Sequence, residues 1–320
     1  LRAQEEDVST TTPGVRRYYA ENKFSRLKDP TLMDDLNAMM DVWEVVNARM
    51  TDEEKSWTRN TEIRKTLDTL NMYPNEFWKY PVTVYYLEHR NVEGFEDKFL
   101  AFLKKLAAEM FAKFPKTPTV SAVKPGVMKL NASILKSDTP EFEFGDVDWK
   151  SIRDQIKLPN KRSFRMLLAL HAYTEQDDLL PAKWEIEHIF PKKWQSSHFP
   201  TYDESIVNEK IEHIGNKAPF EKKLNIVASN GYFEKKQKEY EKSKVEVTRV
   251  LSEKSPASWE LPDIDERDVR VTDAIIETLK KWSGNYQAST EDASTPIMSD
   301  EDAEALKALK EKYGDSILGL

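Results

Sequence analysis

The sequence predicts a mainly α-helical chain with one short β element and its accompanying helix near residues 184–243. Three observations carry that fold class. Apolar residues recur at three- and four-residue spacings over several long stretches, as on helix faces turned to a core. Only at Trp184 to His188 does the period become two, with Trp184, Ile186 and His188 alternating with Glu185 and Glu187, which marks a short strand ending before Pro191. The breaks fall at Pro74, Pro81, Gly215-Asn216 and Gly284, where turns and helix ends belong.

Taken in order, residues 1–30 contain STTTPG and a dense mixture of charges and read as a flexible entry segment. The start at Leu1 rather than Met suggests a piece of a longer polypeptide or a separate subunit. Residues 31–160 read as a helical domain. A helix begins at Leu32 with Leu36, Met39, Met40, Trp43, Val46 and Met50 on one face, a stripe of the kind that forms core. Further helices are predicted over 75–90, over 95–114 with Phe99, Phe102, Leu103, Leu106 and Met110 on one side, and over 121–135 before a turn near Asp138-Thr139-Pro140. Residues 161–284 form the next unit. SFRMLLALHAYTEQ (163–176) is a strongly apolar helix that leads to the strand, and YDESIVNEKIEHIGN (202–216) is a helix closed by Gly215-Asn216. GYFEKKQKEYEKSKVEVTRVL (231–251) reads as one long charged helix, and 263–282 as another with Val271, Ile275, Ile276, Leu279 and Trp282 apolar. Residues 285–320 supply a linker and an acidic helix from about Asp300 to Tyr313.

Composition excludes several classes of function. With no cysteine, disulfides, thiolate zinc sites and cysteine nucleophiles are ruled out. Neither a GxxxxGK[ST] loop nor a GxGxxG turn occurs, so the chain has no recognisable phosphate cradle. No apolar run approaches the roughly 20 residues needed to span a bilayer. A net charge of -8 argues against a protein that coats DNA. From Lys217 to Arg249, however, nine basic residues face five glutamates, whereas residues 291–320 hold eight acidic residues against three lysines. An ordinary solvated helix face and an acidic tail account for that pattern on composition alone.

One constellation carries chemistry. Glu185, Glu187 and His188 precede Asn216, Asn225 and Asn230, and a basic helix follows. A strand pair presenting His beside a carboxylate, followed by a helix presenting Asn, can hold one divalent cation through oxygen ligands and leave an imidazole free as base. That combination suits phosphodiester hydrolysis. An imidazole with a pKa near about 6.5 takes a proton from water at neutral pH, and a metal stabilises the charge on phosphorus and on the leaving oxygen.

The residues also carry a resemblance. WEIEHIFPKKW (184–194), IEHIGNKAPFEKKLN (211–225) and SNGYFEKKQKEYEKS (229–243) resemble the pattern (D/E)xEHIxP, xIGNLxLLxxxxN, xxxNxxFxxKxxxY. That pattern belongs to the His-Asn-His nuclease domain at the C-terminus of GmrSD-type modification-dependent restriction enzymes. The resemblance implies a small ββα-metal (His-Me finger) element within 161–284 and a cytoplasmic DNA endonuclease or nickase of a bacterial anti-phage restriction system. It implies His188 as general base, Glu187 and Asn225 as ligands of Mg2+ or Mn2+, and Asn216 as the residue that braces the strand pair and orients the base. Asn230, Lys235, Lys236 and Tyr240 would brace the backbone or contact DNA phosphate. Target sensing and nucleotide control would lie in a separate N-terminal sensor half or subunit. The leucines that the pattern places after Gly-Asn are Lys217 and Phe220 here. A catalytically silent docking or regulatory module on the same scaffold is the competing reading, and the site chemistry does not itself separate DNA from RNA.

Ile-Glu-His-Ile occurs twice, at 186–189 and 211–214, and the neighbours of His188 assign the chemistry to it. His188 is expected at a largely exposed position. His213 is expected at a helix C-terminus, where an imidazolium contributes a few tenths to about 1 kcal/mol and needs no catalytic role. His89 and His171 lie in apolar helical stretches and read as core. His198 has no HExxH partner spacing for a zinc site with His188.

Overall fold

The apolar helical faces do form helices, and one two-stranded sheet stands among them. In this computed structural model residues 1–11 and 14–287 are described, within one unit Leu1–Gln287. The acidic helix expected near Asp300 lies outside the described residues, as does all but the start of the linker. In chain order the helices before the sheet are α1 (Val15–Ala20), α2 (Leu32–Ala48), α3 (Thr61–Asn71), α4 (Lys79–His89), α5 (Phe95–Lys113), α6 (Val120–Ile134), α7 (Ile152–Lys157) and α8 (Phe164–Glu175). Strand β1 (Trp184–His188) follows, then α9 (Glu204–Ile211), β2 (Lys217–Glu221), α10 (Lys222–Ala228), α11 (Phe233–Tyr240), α12 (Glu246–Arg249) and α13 (Leu261–Gly284). No helix among the described residues is long and apolar enough to cross a membrane.

Several elements differ from expectation. Within residues 1–30, α1 and a 3-10 turn over Glu21–Lys28 are present, and neither buries a side chain. Helix α3, which was not predicted, is started by Asn60, whose side-chain oxygen accepts from the amides of Glu62 and Ile63. On α2 the buried face is Ala38, Val42, Val45 and Val46, while Leu36 and Met40 are exposed, as is Met50 beyond its end. Two apolar stripes overlap on that helix, and packing against α4 selects the smaller side chains. The expected long helix over 231–251 is broken between α11 and α12. There the Ser243 hydroxyl (2.8 Å) and the Lys244 amide (2.6 Å) both donate to the Glu221 carboxylate, folding the chain back so that Thr248 donates to the Pro219 carbonyl.

Two cores share α13. The larger core runs from Ala38 to Leu279, so it draws on both sides of the boundary expected at 160/161. A smaller core gathers Ile189, Phe190, Val207, Ile211, Ala218, Phe220, Phe233, Tyr240 and Ile264 around the sheet. Helix α13 contributes Ile264 to the second and Val271, Ile275, Ile276 and Leu279 to the first. Its start is well specified by sequence: Pro262 stands in the first turn, and Glu260 and Asp263 form a capping box.

β1 and β2 are antiparallel, with Glu187 opposite Ala218 and His188 opposite Lys217. They are joined by residues 189–216, including α9, rather than by a tight turn. A 3-10 turn at Ile214–Asn216 delivers the chain into β2 and lies against α13. Gly215 is required there. A Cβ at this position would meet the Ile264 carbonyl and, at 2.6 and 2.7 Å, the Asp268 carboxylate and amide. Gly215→Ala is therefore expected to lose about 3 kcal/mol or more in denaturant unfolding, the upper range for overpacking against backbone that cannot yield. Gly284→Ala, with nothing within 4 Å, should be neutral or gain up to about 1 kcal/mol. Equal effects of the two substitutions would show that the close approach of turn and helix is not what holds β2 in place.

Candidate active site

The end of β1 has different surroundings on its two faces. Glu187 and His188 are consecutive, so their side chains leave opposite faces of the strand. On one face the Glu187 carboxylate, 3% exposed, accepts from Lys236 at 2.7 Å and from the Tyr240 hydroxyl at 2.8 Å. Lys236 also donates to the carbonyls of His188 (2.5 Å) and Ile189 (3.4 Å). Its ammonium thereby has an acceptor for each of three N–H groups. Burial pulls Lys236 below the ordinary lysine pKa, opposed by Glu187, and burial together with Glu187 pushes the Tyr240 phenol well up.

This arrangement changes the expected role of Glu187. A carboxylate buried between Lys236 and Tyr240 is a brace, and as it stands it is not presented to a cation beside His188. Lys236 and Tyr240 thus spend their polar atoms within the fold on this face. The Asn230 amide bonds both ways with the Lys193 backbone at 3.0 and 2.8 Å. Lys235 is exposed and forms no ion pair among the described residues. Asn216 is fully buried: its Oδ1 accepts from the Phe190 amide at 2.7 Å, and its Nδ2 donates to the carbonyls of Phe190 and Ile211. Every polar atom of that amide is used on backbone, so Asn216 fixes the chain beyond β1 and has nothing left for reacting atoms.

On the other face His188 is half-buried rather than largely exposed. Its Nε2 lies 2.9 Å from Nζ of Lys217, which also donates to the Ile211 carbonyl and to Glu212 Oε2, both at 3.1 Å. Among the described residues Nδ1 of His188 makes no hydrogen bond. Burial, then the neighbouring Lys217 charge, lowers the His188 pKa to about 4 against the opposing pull of Glu212, so the imidazole is neutral at pH 7. Helix α10 packs on both strands and carries Asn225, whose half-buried side-chain amide forms no hydrogen bond within the described residues. Its exposed surface includes Lys222 and Lys223.

The remaining histidines lie in other surroundings. His213 follows the end of α9, as expected, but is buried, with Nδ1 at 2.7 Å from Asp268. Removing one partner of such a buried hydrogen bond costs about 1–3 kcal/mol, which exceeds the helix-terminus value expected from sequence. Asp268 also accepts from the Gly215 amide at 2.7 Å. His213, Asp265 and Asp268 bring ligand atoms within 4.8 Å of one another and could hold an ion, although Asp265 is ion-paired with Lys210. His89 and His171 are buried in the helical core, and His198 packs edge-on against Tyr232.

Sequence reasoning missed Lys217, Glu212, Arg267 and Asp268. Lys217 left a trace as a departure from the leucine of the pattern. The others gave no signal, because their roles depend on contacts that form only in the fold. The brace makes a measurable claim: Lys236→Met should cost about 3–5 kcal/mol by leaving Glu187 charged and buried, and Glu187→Gln in the same chain should recover part of it. Additive losses in a double-mutant cycle of denaturant melts would remove the pair from the account of the site.

Residues 146–273 match the family described as GmrSD restriction endonucleases, C-terminal domain. That span holds both strands and extends into α13. No curated protein and no solved structure matches the chain.

Proposed function

We propose that this chain, whose residues 146–273 match the C-terminal domain of GmrSD restriction endonucleases, is a metal-dependent DNA endonuclease or nickase of a bacterial anti-phage restriction system that acts in the cytoplasm. The observation that carries the reading is the His188 imidazole at the end of β1 together with the Asn225 amide, which has no hydrogen bond among the described residues, on the helix that packs against both strands. In this mechanism His188 takes a proton from the water that attacks phosphorus. Asn216 and Lys236 act earlier, by fixing the backbone from His188 to Phe190 and so the position of the imidazole.

The residues present fit a hard cation held largely by water and substrate. Mg2+ keeps several waters and binds through few protein groups plus phosphate oxygens, and the Asn225 carbonyl is the available oxygen donor. Bound there, Mg2+ or Mn2+ would neutralise charge developing on the phosphodiester. Lys222, Lys223 and Lys235 suit the DNA backbone, and with a net charge of -8 affinity should be weak and steeply salt dependent. Target recognition and nucleotide control are assigned to a separate sensor half or subunit, as the resemblance implies.

One observation favours the competing reading of a catalytically silent docking or regulatory module: Glu187 and His188 are both engaged by lysines. Plasmid nicking with Mg2+ or Mn2+ separates the two. His188→Ala should reduce cleavage by about 10²–10⁴-fold, the range for loss of a general base, with stability lowered by about 1–3 kcal/mol, because the buried Lys217 ammonium loses one of its three acceptors. Chelator should abolish cleavage, and Asn225→Ala should raise the metal concentration required. Wild-type cutting by His188→Ala, or cutting in chelator, would sink the assignment.

A further inference from the structure

Lys217 stands where the family pattern has leucine, directly across the sheet from His188. It is 2% exposed, and its Nζ lies 4.7 Å from the centre of the Phe164 ring. Three acceptors surround that nitrogen at hydrogen-bond distance: His188 Nε2 at 2.9 Å, the Ile211 carbonyl at 3.1 Å and Glu212 Oε2 at 3.1 Å. An ammonium has three donors and no lone pair, so it matches this set completely. Burial draws Lys217 below the ordinary lysine pKa, while the Glu212 carboxylate opposes that shift and favours the charged form.

The consequence falls on His188. A neutral imidazole that accepts at Nε2 carries its proton on Nδ1. Its one lone pair is then occupied by Lys217, and Nδ1 offers none to water. We propose that Lys217 is a positioning residue that latches His188 in the Nδ1–H form, so that the base is withheld until the ammonium leaves Nε2 for a phosphate oxygen of bound DNA. This rests on the reading of His188 as general base. No atoms are transferred in opening the latch: one hydrogen bond of Lys217 is exchanged for another, and the imidazole is left free to hold its proton on either nitrogen. A phosphodiester oxygen carries the negative charge that Nε2 lacks, and charge-assisted hydrogen bonds are the stronger.

Long-range proton–nitrogen NMR of uniformly labelled protein reads the tautomer directly, with His188→Ala identifying its signals among the five histidines. In the free chain at pH 7 His188 should be protonated at Nδ1. Lys217→Met, similar in length and apolar, and Lys217→Leu, the residue of the pattern, should move the ring to a mixture or to the Nε2–H form. Glu212→Gln, which keeps Lys217 but loses its anchor, should shift the ring in the same direction to a smaller extent. Adding a duplex oligonucleotide in chelator should shift the wild-type signals as well. Plasmid nicking in Mn2+ should rise about tenfold in Lys217→Met, the equilibrium factor for one hydrogen bond to a charged group.

A wild-type ring in the Nε2–H form would mean that Lys217 is an amine accepting from His188, and would overturn the latch. So would an unchanged tautomer in the folded Lys217 variants, or an unmoved wild-type ring at saturating oligonucleotide. A released tautomer with unchanged or reduced nicking would overturn the restraint on catalysis. None of these outcomes bears on whether His188 is the base, which the nicking assay of His188→Ala decides separately.

Discussion

The site depends on how one buried turn, residues 214–217, is held against α13. A turn that enters a core must satisfy its backbone polar groups without water. Arg267, itself buried, donates from one nitrogen to the carbonyls of Lys217 (2.7 Å), Gly215 (2.9 Å) and Ile214 (3.3 Å), and Asp268 accepts from the Gly215 amide. A guanidinium suits this task because its planar donors reach several carbonyls and it keeps its charge under burial far better than an amine. Asn216 closes the other side by bonding to Phe190 and Ile211. Since β2 begins at Lys217, the turn sets the register of the sheet. A slip of one residue would exchange the faces of every side chain on β2 and take Lys217 away from His188.

Much of this was legible in the sequence, and the limit follows a physical line. Apolar periodicity placed α5, α6, α8 and α13 nearly residue for residue, and the period of two placed β1. Gly215-Asn216 was legible as a turn because glycine permits the close approach and asparagine bonds locally to backbone. What could not be read was which charged residues are buried. Glu187, Lys217 and Lys236 sit among solvated lysines and glutamates with the same composition around them, and only pairing across the fold separates them. The Lys236–Glu187 contact joins strand β1 to a helix that lies beyond α9, β2 and α10 in the chain. The broken charged helix has the same origin, since the turn after Tyr240 is imposed by Glu221 on β2 rather than by the residues of the turn.

The stripe on α2 and the role of His213 illustrate the same limit in apolar and polar form. Periodicity proposes a face, but when two stripes overlap the neighbour decides, and here the smaller side chains allow α2 to approach. A histidine after a helix end has a local electrostatic reason to be there. Asp268, far away in sequence, gives His213 a stronger one in the core.

The two faces of β1 use the same device to different ends. On each, a buried lysine meets three acceptors, one of them a carboxylate. Lys236 spends two of its donors on main-chain carbonyls at His188 and Ile189, and the Ile189 amide is bonded to the Asn216 carbonyl at 2.9 Å. The backbone at the end of the strand is therefore fixed from several directions. Lys217 instead spends one donor on the imidazole itself. Because the main chain is pinned, rearrangement at the site is confined to the His188 ring and the Lys217 and Glu212 side chains, which change rotamer faster than any strand can shift. A two-stranded sheet has little stability of its own. By drawing its rigidity from α11 and α13, this one can carry a reactive group whose surroundings are free to change.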